Sequence, residues 1–507
     1  MARFSLLTAL SLVAFVVADL GQDFSGESIT AILPNDDRYA AASQAYNQRF
    51  EFAPAAIAYP STPEEVSAII KIGDANSLQV VARSGGHSYI ANGLGGENGA
   101  LVVDLTNMKS IAVDSSSNVA TIETGNRLGD VAVKLNEAGR ALPHGTCPYV
   151  GTGGHIGNGG FGFTSRLWGL TLDTIVAVNA VLANGTVVRV TNDNYPDLFF
   201  AFRGAASSFG IVTSWEVNTF EAPSYSIVFS YTWDLDYQTA AQALVDFQSF
   251  AGTPDLPPEF GGELTLGRGE VEGNVSFEFI GGWYGAEGGL DSVIQPFLEK
   301  LPTPKTNNRL GNGSYIDSVS QLGGGLDTSG PDTRDTFYAK SLMTPEAEPL
   351  TLEAATSFMS YLAHEGFGAN LSWFMQVELY GGANSKINTV PADATAFARR
   401  DSIFTWQLYA SSANALPPYP EEGFTFVNGV ADSVVNSMPQ DWDYGAYTNY
   451  IDDRLDNCET FTIFAKLSLT LGLGQHLYYG NNYDRLKSIK DAVDPNNVFS
   501  FPLSIQE

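Results

Sequence analysis

Basic residues are scarce. Only 26 Lys and Arg stand against 56 Asp and Glu in 507 residues, a formal net charge of −30. A surface of that sign repels phosphates, which argues against nucleic acid and anionic membranes as partners and suits a neutral substrate. Long apolar runs are missing as well. Beyond the N-terminus nothing approaches the ~20 uninterrupted apolar residues that span a bilayer, so no membrane span is expected. There is no internal repeat and no heptad pattern. Cysteine is nearly absent, and the two present, Cys147 and Cys458, leave two readings open. They pair with each other, or one is occupied by other chemistry.

The length suffices for two or three domains around a substantial core. Arg3 followed by the apolar stretch Leu6 to Val17, with Val16 and Ala18 at the minus-three and minus-one positions, reads as a secretory leader over residues 1–18. Four Asn-x-Ser/Thr sequons, at Asn184, Asn274, Asn312 and Asn370, agree with an extracellular destination.

Residues 61 to 76 open with Ser-Thr-Pro-Glu-Glu, which places a capping Thr62 and a first-turn Pro63 before a helical apolar face. A strand at 79–82 leads into the loop Arg83-Ser84-Gly85-Gly86-His87-Ser88-Tyr89. Further strands are expected at 101–105, 111–113 and 119–124, then a helix at 128–138 stopped by Gly139. A hairpin at 175–182 and 187–190 turns on Asn184-Gly185. From about Ala222 aromatic, alternating segments appear at 226–233, 275–283 and 372–379, the pattern of one antiparallel sheet with helices on one side. Residues 323–330 read as a flexible loop, and Tyr483 to Val493 as a terminal helix.

The segment Gly145-Thr146-Cys147-Pro148-Tyr149-Val150-Gly151-Thr152-Gly153-Gly154-His155 is the richest in chemistry, and glycines continue to Gly162. Consecutive backbone N–H groups in such runs make anion nests, for which a diphosphate is the natural guest. The match of Gly157 to Gly162 with G-x-G-x-x-G does not make a Rossmann site, because no buried strand precedes it and no ribose-binding acid is correctly placed.

The His87 loop and the Cys147 segment together resemble the berberine bridge enzyme branch of the vanillyl-alcohol oxidase flavoprotein family, above all its fungal gluco- and chito-oligosaccharide oxidases. Asp197-Leu198-Phe199, Phe209-Gly210-Ile211-Val212 and the tail Asp494-Pro495-Asn496-Asn497-Val498-Phe499 extend the likeness along the mature chain. The resemblance implies an α+β fold: a two-part FAD-binding domain of the vanillyl-alcohol oxidase/p-cresol methylhydroxylase type over 19–222, and a substrate domain with a large antiparallel sheet flanked by helices over 223–440. A C-terminal segment, 441–507, returns to the FAD domain. It implies FAD bonded through its 8α-methyl to His87 and through C6 to Cys147, with Arg83, Ser84, Gly85, Gly86, Ser88, Gly151, Gly153, Gly154 and Asn482 around it. No metal is called for.

By the same resemblance Tyr447-Thr448-Asn449-Tyr450 selects Tyr450 as the base for a sugar C1 hydroxyl. The strand Gln376-Val377-Glu378-Leu379-Tyr380-Gly381-Gly382 supplies Glu378 to tune it, where the family carries the shorter Asp. Tyr89, Phe374, Gln376 and Gln407 fall where the family contacts sugar, with Phe374 where some relatives carry Trp. Val150 falls where oxygen-reactive relatives carry Val. Trp168, Trp406 and Trp442 read as core. The expected activity is a secreted, monomeric oxidase that turns the reducing-end C1 hydroxyl of an oligosaccharide into a lactone and O2 into H2O2. An FAD-linked oxidase of a secondary metabolite or other alcohol is the alternative on this fold. A non-catalytic sugar-binding protein would not need His87 and Cys147 together.

Overall fold

The computed structural model describes residues 20–455 and 473–506. The expected leader at 1–18 and Cys458 lie outside the described residues.

Residues 31–218 build two sheets. Ala56–Ala58, Leu101–Asp104 and Val80–Arg83 run parallel, with Ala31–Ile32 antiparallel at one edge. The helix Pro63–Ala75 makes the crossover. Thr62 caps it by accepting from the Glu65 amide, and Val66, Ile69 and Ile70 are fully buried against the sheet. The second sheet, order 111–114, 119–123, 211–218, 175–181, 187–190, is antiparallel throughout. The 111–123 hairpin, the Asn184-Gly185 turn with Gly185 at φ 78°, and the helix Leu128–Glu137 ending at Gly139 at φ 68° form as their residues dictate.

A seven-stranded antiparallel sheet follows, in the order 306–313, 226–236, 274–283, 260–268, 371–379, 402–412, 337–345. Alternation gives it two unlike faces. Met375, Val377, Trp406, Leu408, Leu264 and Leu266 point to one side and are fully buried. There the helices Tyr237–Ala251, Leu352–Gly368 and Glu421–Val435 cover them, with Phe358 on Trp406 at 5.2 Å and Phe247 on Phe404 at 5.4 Å. The other face carries Phe374, Gln376 and Glu378 opposite Tyr409, Gln407 and Thr405, with Glu263 opposite Glu378 on the far side. That polar face looks back at the two N-terminal sheets and their loops. Trp406 and Trp442 are core, whereas Trp168 is half-buried and stacked on Phe220 at 4.8 Å.

Two buried groups fasten the halves. Arg166 donates to the carbonyls of Gly381, Pro257, Phe260 and Ala383. Lys490, on the helix Tyr483–Val493, pairs with Asp494 at 2.7 Å and donates to Ser208 O and Phe499 O, which ties the C-terminal residues to the N-terminal sheets.

Candidate active site

The loop after Val80–Arg83 and the Cys147 segment meet with almost no space between them. A Cβ on Gly85 would overlap the Gly151 backbone, and one on Gly151 would overlap Gly85, so only glycine fits either position. Together they wall a cleft with about 1540 Å³ of empty space, part of it open to solvent. Arg83, Ser84, Gly85, Gly86, His87, Ser88, Tyr89, Val150, Gly151, Gly153, Gly154 and Tyr450 line it.

Several of these groups already have partners. The Arg83 guanidinium is paired with Asp104 at 2.5 Å and donates to Ala42 O. Ser84 Oγ donates to Thr124 O and accepts from the Gly153 amide at 3.1 Å. Ser88 Oγ accepts from the Asn92 amide. His155, also in the wall, accepts from the Gly145 amide, and burial holds it down at about 3, so it stays neutral. An anion here therefore relies on backbone N–H groups rather than on free cations.

The glycine run is less free as a nest than its composition implies. The amides of Gly160 and Phe161 both donate to the Tyr447 hydroxyl, at 3.0 and 3.1 Å. Asn482 does not line the cleft; its amide donates to Ala392 O and Thr395 O.

His87 stands at one end with Nε2 2.5 Å from Asp332 Oδ2 and its ring stacked on Tyr46 at 3.9 Å. Cys147 is a free, exposed cysteine, yet enough protein crowds its sulfur to raise the thiol above its ordinary value. Desolvation is the first cause, and Asp332 adds to it. Val150 is held where it lines the cleft by the Leu128 amide on its carbonyl.

Beyond Tyr89 the cleft meets the polar face of the large sheet. Tyr450 donates to Glu378 Oε1 at 3.0 Å and stacks on Tyr89 at 5.8 Å. Tyr89 in turn bonds the Gln407 amide. Gln376 donates to Glu263 Oε1 at 2.7 Å, while Phe374 stacks on Tyr409 at 4.8 Å. Glu378 Oε2 is buried without a partner, a lone acceptor beside the tyrosine. Burial raises Glu378 well above the carboxylate range, and the neighbouring Glu263 charge raises it further. Burial likewise pushes the Tyr450 phenol up, so in the resting protein it is a neutral donor rather than a phenolate.

Glu263, Asp332, Tyr46 and Tyr409 carry no local signal in the sequence. Each reaches the site through pairing or loop contacts between distant residues.

Glu263 has a consequence for stability. Burial raises it from 4.5 to about 7, so the folded state holds a proton that the unfolded chain releases. Its contribution is complete below about pH 4.5 and is lost as pH rises through 7. Glu263→Gln should therefore melt higher relative to the parent at pH 8 than at pH 5, by on the order of 2–4 °C. Thermal melts at both pH values check this, and an equal offset at both would contradict it.

A glycine-walled cleft, closed by a histidine loop and a cysteine segment and facing a polar sheet, defines a flavoprotein oxidoreductase. A model of the FAD binding domain matches residues 54–191, and one described as berberine and berberine like matches 446–506. The xylooligosaccharide oxidase of Thermothelomyces thermophilus is 35% identical over 93% of this chain and 91% of its own. The chitooligosaccharide oxidase of Gibberella zeae is 35% identical over 91% and 89%. The solved structure of a glucooligosaccharide oxidase from Acremonium strictum, with a 6-S-cysteinyl, 8α-N1-histidyl FAD, superposes with a TM-score of 0.85 at 32% identity, over 96% of this chain and 98% of that one. The chain belongs to the berberine bridge enzyme-like branch of the vanillyl-alcohol oxidase family. It is an FAD-dependent oxidoreductase with the expected α+β architecture. The cleft fits that cofactor: the Gly85–Gly151 contact draws the His87 loop against the Cys147 segment, and Gly154 in the wall leaves open the space that a side chain would enter.

Proposed function

We propose that this chain is a secreted oligosaccharide oxidase that converts the reducing-end C1 hydroxyl to a lactone and O2 to H2O2. His87 and Cys147 hold the flavin, Tyr450 and Glu378 move the proton, and Tyr89, Phe374, Gln376 and Gln407 receive the sugar. Residues 1–18 are the leader, 19–222 the FAD domain, 223–440 the substrate domain, and 441–507 the returning segment. The observation that carries the reading is the 3.0 Å Tyr450–Glu378 hydrogen bond set beside two amides on one sheet face.

Bound FAD supplies the two-electron acceptor for the C1 hydrogen and the route to dioxygen. Tyr450 accepts the proton of the C1 hydroxyl as it passes its own to Glu378. The carboxylate must be ionised to receive it, and the burial that raises its pKa makes the ionised form a stronger base. Gln376 and Gln407 each use the amide nitrogen inside the protein, on Glu263 and Tyr89, and present the carbonyl oxygen to sugar hydroxyls. A pocket for an apolar alcohol would place apolar side chains at those two positions.

A peroxide assay across glucose, lactose and cello-, xylo-, malto- and chito-oligosaccharides tests the reading. Peroxide from one or more reducing sugars is expected, and none from the whole panel would overturn it.

Val150 is proposed to keep an oxygen path open. Val150→Leu should slow reoxidation several-fold and leave reduction by sugar nearly intact. Anaerobic reduction followed by mixing with air measures both, and unchanged reoxidation would remove Val150 from this role.

A further inference from the structure

His87 is held by a carboxylate from a remote part of the chain. Asp332 Oδ2 lies 2.5 Å from Nε2, with the imidazole side chain 9% exposed and the carboxylate 23%. Tyr46 fixes the ring plane from one face, and Asp332 fixes the ring's rotation within that plane. Nδ1 makes no hydrogen bond among the described residues, and the ring lines the cleft.

The segment that carries Asp332, residues 323–334, has no regular secondary structure but is fastened at several points. Thr328 Oγ1 donates to Asp130 at 2.7 Å. The Gln48 amide donates to Asp335 O at 2.7 Å, and Tyr409 donates to the Asp335 carboxylate at 2.7 Å. Gly323 packs so tightly on Thr146 O that a Cβ would overlap it. The segment is thus a strap over the residues flanking Cys147, and it delivers one carboxylate to His87.

We propose that Asp332 is the positioning residue that makes His87 competent to bond FAD, an inference that rests on the reading above that His87 carries the flavin. The carboxylate accepts the Nε2–H hydrogen bond. That fixes the neutral tautomer whose lone pair is on Nδ1. In the attachment step the Nδ1–C8α bond forms while a C8α–H bond breaks. As positive charge builds on the imidazole, its Nε2 proton leaves toward Asp332. The flavin gains two electrons and, in sum, the two protons released, and dioxygen then takes both pairs as hydrogen peroxide.

The test starts from Cys147→Ala, in which His87 is the only tether, and adds Asp332→Asn or Asp332→Glu. The visible spectrum of the native protein reports all bound flavin, and the colour left in the acid precipitate reports the covalent part. Cys147→Ala should keep its flavin through precipitation. With Asp332→Asn, native binding should persist while the covalent fraction falls about tenfold or more. Asp332→Glu should recover part of it. An Asn variant as fully tethered as its parent, or a Glu variant no better than the Asn, overturns the proposal. If the Asn protein does not accumulate, the Glu variant decides: slower attachment than the parent supports the proposal, and an equal rate counts against it. Complete release from Cys147→Ala itself marks failure of the attachment reading, and the role of Asp332 falls with it.

Discussion

Tyr450→Phe is expected to slow flavin reduction by sugar about 10²- to 10⁴-fold, the range for losing a general base, with substrate binding little changed. The substitution removes one oxygen, and the ring contacts to Tyr89 and Tyr447, at 5.8 and 5.1 Å, can survive it. What disappears is the relay oxygen between the C1 hydroxyl and Glu378. The Tyr447 hydroxyl cannot substitute: its oxygen already receives the amides of Gly160 and Phe161 and the Asn449 side chain. Glu378→Gln should slow reduction as well, because a buried amide still holds the phenol in place but cannot take its proton. The double variant should fall far short of the sum, since the two residues act on one proton. Stopped-flow reduction without oxygen reads all three. Near-normal reduction by Tyr450→Phe would remove it from the mechanism.

The second large effect concerns attachment. His87→Ala and Cys147→Ala should each keep flavin through denaturation by way of the remaining bond, while the double variant should release all of it. Imidazole and thiolate are the side chains nucleophilic enough to attack an electrophilic flavin ring. Desolvation and Asp332 raise the thiol in the protein without its cofactor, so the Cys147 bond should form faster as pH rises. Tryptic peptides of the parent should show one flavin joining both segments. Release of flavin from both single variants would contradict double attachment.

Local physics made part of this molecule legible. Thr62 and Pro63 announce their helix, Asn184-Gly185 its hairpin, and the alternation at 226–233, 275–283 and 372–379 three strands of the large sheet. The other four strands of the large sheet escaped for physical reasons. Ser402–Ser412 and Phe337–Pro345 are buried on both faces, so no alternation shows. Phe260–Arg268 holds three glycines, and Thr306–Gly313 is a polar edge strand. At the site, His87, Cys147 and Tyr450 stood out because the short motifs that hold them resemble those of the family. Asp332, 245 residues from His87, and Glu263, 113 from Gln376, did not. Their roles arise from strand register and a strap. The same distance hid the Tyr447 hydroxyl, 287 residues from Gly160, which fills amides that the glycine run alone presents as an anion nest.

The most direct measurement of the central claim is anaerobic mixing of the purified holoenzyme with a reducing disaccharide, such as cellobiose, xylobiose or chitobiose, and with its borohydride-reduced alditol. The flavin absorbance should bleach with one or more of the sugars and not with the matching alditol, which lacks the C1 hemiacetal. Bleaching by none of the sugars, or equal bleaching by the alditol, would contradict oxidation at the reducing-end C1.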